Sequence, residues 1–201
     1  MRDFIGAIVL MSAATQVSAG GVEATDDGRI LLLDGEKGLF LASSDKTIRL
    51  NVELPINGAG FLAEQIGEGD FGDVYDATDQ LRYSDVLLAQ DGDRAAIVVA
   101  YAEYHIDENC FTSTLAKFTM PASQALEDVK ISSDDWVDVV RDACLEPFED
   151  GLPVYGLRAG GRLAQMKGDT ETVIWTIGDA AEVYQVHLSD GDYDVIARGR
   201  N

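Results

Sequence analysis

The chain has 201 residues, with 36 Asp+Glu against 15 Lys+Arg and a formal net charge of −21. A surface that acidic repels phosphate backbones and anionic headgroups, which excludes nucleic acid and acidic lipid as partners. The length suffices for one domain with a real core. Its two cysteines, without a CxxC pair, exclude a zinc finger or ribbon.

Residues 1–19 read as a secretory signal. Arg2 supplies the positive start, an apolar run extends from Phe4 to Met11, and Val17-Ser18-Ala19 forms a small-x-small cleavage pattern. The run is shorter than the roughly 20 apolar residues that span a bilayer, and no later segment comes close. The mature protein is therefore expected to be soluble and exported, periplasmic in a Gram-negative bacterium or secreted. Export carries Cys110 and Cys144 into an oxidising compartment, so they are expected to pair. Closing a loop of roughly 35 residues is worth about 3–4 kcal/mol on the chain-entropy model.

Short alternating apolar runs follow through the rest of the chain. Strands are expected over residues 29–33, 38–42, 47–52, 84–90, 95–101, 112–119, 136–141, 162–166, 172–177, 183–188 and 193–197. Asp-Gly pairs at 27–28, 34–35, 91–92, 150–151 and 190–191 mark tight turns between several of them. Helix is scarce. Residues 123–129 allow one or two turns, and residues 134–142 mix both periods. Trp136 and Trp175 sit among apolar neighbours and read as core. Many short strands with regular turns indicate an all-β fold. Three groups, residues 31–52, 85–118 and 163–196, each look like strands joined by hairpins. That is about three antiparallel propeller blades at roughly 40–45 residues apiece. Two long loops, residues 58–83 and 146–159, interrupt the rhythm.

Two motifs do not carry the chemistry they resemble. Ile66-Gly67-Glu68-Gly69-Asp70-Phe71-Gly72-Asp73-Val74-Tyr75 matches a kinase glycine-rich loop. A kinase needs a lysine on the next strand and a His-Arg-Asp loop. Here the next lysine is Lys117, and no His-Arg-Asp exists. Asp190-Gly191-Asp192-Tyr193-Asp194 begins like a calcium loop, but Val195 stands where glycine is required and Asn201 where the bidentate glutamate belongs. Asp70, Asp73, Asp76 and Asp79 match no standard calcium spacing. No metal site is expected from these residues.

Three stretches in order carry a family resemblance. The first is Ala102-Glu103-Tyr104 with Asn109-Cys110-Phe111-Thr112, followed by the run from Trp136 to Pro147. It looks like a paired-cysteine blade of bacterial sorbosone-dehydrogenase-like proteins. The second is Leu157-Arg158-Ala159-Gly160-Gly161-Arg162, then Ile177-Gly178-Asp179. In the family a His-Gln precedes such a small-Gly-Arg turn, and Gly-Asp follows one strand later. The third, Arg198-Gly199-Arg200-Asn201, resembles a Gly-His-Arg-Asn stretch that the family continues with Pro-Gln-Gly. Over residues 84–201 the chain is thus similar to the soluble quinoprotein glucose/sorbosone dehydrogenases, which are six-bladed β-propellers.

The resemblance implies an incomplete β-propeller over residues 20–201, the front part of such a fold. The family oxidises a sugar hydroxyl by passing hydride to pyrroloquinoline quinone, and it also carries calcium. A histidine takes the hydroxyl proton as general base, held by a carboxylate. Basic and amide side chains bind the anionic quinone. Residue by residue, Asp179 matches the orienting carboxylate, and Arg200 and Asn201 match a cofactor-contacting pair. The base position falls at Leu157, which cannot accept a proton, and Arg158 replaces a neutral amide. His105 and His187 stand elsewhere in the pattern and read as ordinary strand or loop residues. The resemblance therefore implies a truncated or degenerate relative that does not oxidise sugars by itself. The alternatives are a secreted non-catalytic propeller-like module that binds a saccharide, small molecule or protein, and a fragment whose strands cannot close.

Overall fold

Hairpins dominate because the alternating runs are punctuated by residues that tolerate tight turns. The computed structural model describes residues 21–66, 81–142, 144, 161–166, 171–177 and 182–198. Among them three four-stranded antiparallel sheets form. Sheet 1 contains β1 (Val22–Ala24), β2 (Ile30–Asp34), β3 (Gly38–Ala42) and β4 (Thr47–Arg49). Sheet 2 contains β6 (Tyr83–Asp91), β7 (Arg94–His105), β8 (Cys110–Pro121) and β10 (Val137–Arg141). Sheet 3 contains β11 (Leu163–Gln165), β12 (Thr172–Ile177), β13 (Glu182–His187) and β14 (Tyr193–Arg198). A short parallel pair, β5 (Asn51–Val52) with β9 (Lys130–Ile131), and one helix, α1 (Ala59–Ile66), complete the regular elements. The expected all-β class stands.

Each four-stranded sheet runs up and down in chain order, and the first strands of the three sheets lie side by side. β6 packs beside β1 on one flank and beside β11 on the other. Sheet 2 is therefore the middle layer, and its two faces feed two separate cores. Ile97, Val99 and Tyr101 of β7 point towards sheet 1 and join Leu31, Leu39 and Leu41. The alternate residues Val98 and Ala100 join Val173, Trp175, Tyr184 and Val186 of sheet 3. Period-2 alternation on a strand covered on both faces gives this continuous apolar run. Full burial of each Leu, Ile or Val side chain contributes about 1.5–3 kcal/mol. Trp136 and Trp175 both lie in these cores, as their apolar flanks predict.

The turn chemistry follows the Asp-Gly signals at three places. Gly28, Gly92 and Gly191 all take positive φ. The turn at Asp34-Gly35 differs. There the Asp34 carboxylate accepts the backbone N–H groups of Glu36 and Lys37, and the positive φ falls on Gly38 instead.

Several elements depart from the sequence reading. Residues 58–83 do not form one loop, because α1 opens the stretch. Asn57 accepts the Ala59 N–H, the Leu62 N–H bonds back to the Gly58 carbonyl, and Leu62 packs with Leu81, Tyr104 and Phe111. Residues 47–52 are two strands rather than one. Leu50 breaks the run where its N–H bonds to the Leu39 carbonyl, and β5 then turns to meet β9. Trp136 lies just outside β10, with its indole N–H donated to the Glu53 carbonyl at 2.7 Å. Residues 123–129 yield only a 3-10 turn at Leu126–Asp128, and a second one spans Ser133–Asp135. Strands β7 and β8 are longer than expected, pairing from Arg94↔Pro121 to His105↔Cys110. Neither β1 nor β9 was anticipated. Among the described residues no helix is long and apolar enough to cross a membrane.

Candidate functional site

In an up-and-down sheet the odd connections gather at one end and the even ones at the other. The starts of β1, β6 and β11 therefore share an end with the β2–β3 and β7–β8 turns and with the exits of β4, β10 and β14. We refer to this as the upper end. In sheet 3 it is where Ile177 pairs with Glu182 and Glu182 with Arg198. Two polar groupings occupy the upper end of sheet 2.

The first joins the leading strands. Asp85, near the start of β6, is buried. One carboxylate oxygen accepts the Leu163 N–H of β11 at 2.9 Å, and the other accepts the Val86 N–H at 3.0 Å. The exposed guanidinium of Arg162 stands 3.6 Å from the same carboxylate. Glu23 of β1 is held above the ordinary carboxylate range, first by burial and then by the charge of Asp85. The approach is close enough that a Cβ on Gly21 would lie 2.2 Å from Asp85 Oδ1, so only glycine fits there.

The second grouping lies on the face of β7 and β8 turned towards sheet 1, above the apolar core. Tyr101, Glu103 and His105 alternate along β7, and Thr112 and Thr114 stand opposite on β8. His105 Nε2 is 2.8 Å from Thr112 Oγ1, Thr112 is 2.9 Å from Thr114, and Thr114 donates to Glu103 Oε2 at 3.0 Å. His105 Nε2 and Glu103 Oε2 are themselves 3.6 Å apart. Arg141 of β10 sits 3.5 Å from Glu103 and 2.6 Å from Asp138, and the Tyr101 hydroxyl donates to Asp138 at 3.4 Å. Burial pushes the Glu103 carboxyl up, while His105 and Arg141 pull it back in part. Burial likewise raises the Tyr101 phenol well above its usual range. The result is a ring of carboxyl, imidazole and two hydroxyls, hydrogen-bonded on three sides and closed by the 3.6 Å contact between His105 and Glu103, that can hold or pass a proton.

Asp179, Arg200 and Asn201, with Leu157 and Arg158, lie outside the described residues. His105, expected as an ordinary strand or loop residue, is the last residue of β7 and also a member of the ring. A signal for it was present: Glu103 and His105 two apart in an apolar strand, with Thr112 and Thr114 two apart on the next. His187, the other histidine, bonds Thr172 Oγ1 through Nδ1 at 3.1 Å in sheet 3. Gly161 and Arg162 are the described part of the small-Gly-Arg turn. Gly161 packs against Trp175 and Thr176, and the Arg162 N–H bonds Thr176 Oγ1 at 2.9 Å. Cys110 and Cys144 form the expected disulfide, with Cα atoms 5.6 Å apart. It ties the start of β8 to the chain leaving β10, beside the proton-holding ring.

The fit to the family's cofactors is poor on the described residues. The upper end presents the carboxylates of Glu23, Asp85 and Glu103, and Arg162 and Arg141 already face carboxylates. An anionic quinone would meet like charge there. The one close cluster of metal-type donors among the described residues is Glu108 with Cys110 and Cys144. Both sulfurs are spent on the disulfide. That is not the oxygen-rich shell calcium takes. Comparison with known proteins adds no relative: no family model, curated protein or solved structure matches the chain.

Proposed function

We propose that this chain is a degenerate relative of the pyrroloquinoline-quinone-dependent sugar dehydrogenases, built as propeller blades and inactive in sugar oxidation by itself. The observation that carries the reading is the layout of the leading strands. Three up-and-down sheets of four strands stand with β1, β6 and β11 side by side. Blades arranged around an axis have this relationship, each beginning at the axis and stepping outward. The strand ends that flank Leu157, Asp179 and Arg200 in sequence gather at the upper end of sheet 3, which supports a common site lineage. Export to the periplasm or beyond rests on the leader-like residues 1–19, and the disulfide fits such a compartment.

Loss of catalysis follows from chemistry. Removing the hydroxyl proton during hydride transfer needs a base, and Leu157 stands at that position. A positioned base supplies about a hundred- to ten-thousand-fold in rate. The carboxylates at the upper end favour a neutral ligand such as a saccharide over the anionic quinone, which makes a non-catalytic binding module the second reading. The test is an assay with added pyrroloquinoline quinone, calcium, glucose and an artificial electron acceptor. Turnover is expected to equal the cofactor-only control, and turnover clearly above it would reject the proposal.

A further inference from the structure

Sheets 1 and 3 each press one face into the apolar cores and turn the other away from sheet 2. On sheet 1 that outer face is apolar. Val22 and Ala24 of β1, Ile30 and Leu32 of β2, and Phe40 and Ala42 of β3 share it by alternation. None of them joins a core, and Val22 is 60 % exposed. On sheet 3 the outer face includes Ala164, Ile174 and Val183, which join no core either. A contiguous apolar face left in water marks a contact surface.

Register sets the two outer faces at one height. A Cβ on Gly21 would lie 2.2 Å from Asp85 Oδ1, and the other Asp85 oxygen accepts the Leu163 N–H at 2.9 Å. Further along β6, the Gln90 side-chain amide donates to Asp26 and the Gln90 carbonyl accepts the Gln165 amide, both at 3.0 Å. β1 and β11 therefore run in the same direction at the same level. From β1 a row of paired residues crosses sheet 1 through Val22, Leu32, Phe40 and Arg49. From β11 a row at the same height crosses sheet 3 through Ala164, Ile174, Gln185 and Asp194. Each row starts apolar at the leading strand and ends in a single charge on the outermost strand, and the two charges are opposite. Arg49 and Asp194 are exposed, and neither makes a hydrogen bond or ion pair among the described residues.

We propose that two copies of this chain associate head to tail, the outer face of sheet 1 in each against the outer face of sheet 3 in the other. A two-fold axis parallel to the leading strands generates both contacts and preserves heights. Val22 then meets Ala164, Leu32 meets Ile174, Phe40 covers Gln185, and Arg49 pairs with Asp194. Closure leaves neither outer face open. Two copies of three four-stranded sheets supply six, within the roughly four to eight that ring-shaped arrays of such sheets use; three copies would supply nine. The matching row lies on the chain itself, which singles out a second copy over a foreign partner. The inference rests on the side-by-side layout of the sheets and not on the sugar-dehydrogenase reading.

Sedimentation velocity on the full chain tests it. The parent is expected to sediment as two chains at micromolar concentration. Arg49→Glu places like charges at both contacts, and so does Asp194→Arg. Each is expected to raise the dimer dissociation constant at least about ten-fold. Both side chains are exposed and unpaired, so the variants keep the fold, which near-UV spectra matching the parent would check. Mixed in equal amounts, the two variants face each other with opposite charges at both contacts. The mixture is expected to regain the two-chain species that each variant alone forms poorly. A pairing of sheet 1 with sheet 1 would instead leave Asp194→Arg without effect and the mixture without rescue. A parent that stays a single chain at its highest soluble concentration, an assembly of three or more chains, an unchanged dissociation constant in Asp194→Arg, or a mixture that fails to reassociate would each overturn the proposal. The readout is mass rather than turnover, so failure here is distinct from failure of the sugar-oxidation assay.

Discussion

Asp85 and Leu163 are 78 residues apart in sequence, yet the Asp85 carboxylate accepts the Leu163 backbone N–H at 2.9 Å. The bond crosses from the leading strand of sheet 2 to that of sheet 3. Together with the Gln165 Nε2 bond to the Gln90 carbonyl at 3.0 Å, it adds direction to an otherwise mainly apolar contact between the two sheets and fixes the level at which β11 meets β6. A buried carboxylate is costly unless its oxygens are occupied. Here the second oxygen takes the Val86 N–H and faces Arg162.

Asp85→Ala is therefore expected to destabilise the fold by about 1.5–3 kcal/mol, the range for a hydrogen bond to a charged group with its donor left buried. Urea unfolding checks it. The midpoint should fall with the slope unchanged, since the same surface is exposed on unfolding. A change below about 0.5 kcal/mol, the usual scale of surface substitutions, would mean that Asp85 is not the tie between the sheets.

The Cys110–Cys144 bridge closes a sequence separation of 34 residues, so reduction should cost about 3–4 kcal/mol on the loop-entropy model. Mass measurement of the protein before and after reductant should differ by the two hydrogen atoms gained on opening. Paired unfolding curves should show the reduced form less stable. Free thiols in the untreated protein, or coincident curves, would count against this account.

What the sequence made legible was the repeated local signal. Leu31, Leu33, Leu39 and Leu41 alternate along β2 and β3, and both strands were located because period-2 patterning and turn residues agree. β1 and β9 were missed for the opposite reason. Val22–Ala24 and Lys130–Ile131 are too short to show a period, and each is a strand only because a partner lies alongside. α1 was missed because its run is brief and its apolar residues are sorted by Tyr104 and Phe111, far along the chain. The Asp85 tie and the Glu103–His105 ring depend on register between strands. Sequence showed polar residues inside apolar strands but not which partners they would meet.

The ring makes a pH prediction. Burial raises Glu103 above its ordinary 4.5, outweighing the pull of His105 and Arg141 and aided by nearby Asp138. The folded state then holds the Glu103 proton more tightly than the unfolded state. Between 4.5 and the raised folded value, folding takes up a proton, so the contribution of Glu103 to stability falls as pH rises through that window. Glu103→Gln removes the titration. The stability of the variant minus that of the parent should therefore increase as pH rises from 4.5 and then level off. Urea midpoints measured at several pH values give this difference directly. A flat difference, or one that decreases, would show that the carboxyl is not held up by burial.

Gly161 tests what the small-Gly-Arg turn is for. In the enzymes that the sequence resembles, this turn follows the catalytic base, which invites a functional reading of its glycine. The structure gives it a packing role. A Cβ at Gly161 would lie 2.4 Å from the Thr176 carbonyl oxygen and 2.5 Å from Trp175 Nε1. The oxygen belongs to backbone already paired in sheet 3, and the Trp175 side chain is buried in the core between sheets 2 and 3, so neither can yield cheaply. Gly161→Ala is expected to cost about 1–3 kcal/mol, the scale of overpacking in a well-packed core. It should also change the near-UV signal of Trp175, because the indole must move. Trp136 lies in the other core and serves as an internal reference: a Trp136→Phe background isolates the Trp175 signal. An unshifted spectrum with parental stability would mean that the glycine is not needed for packing.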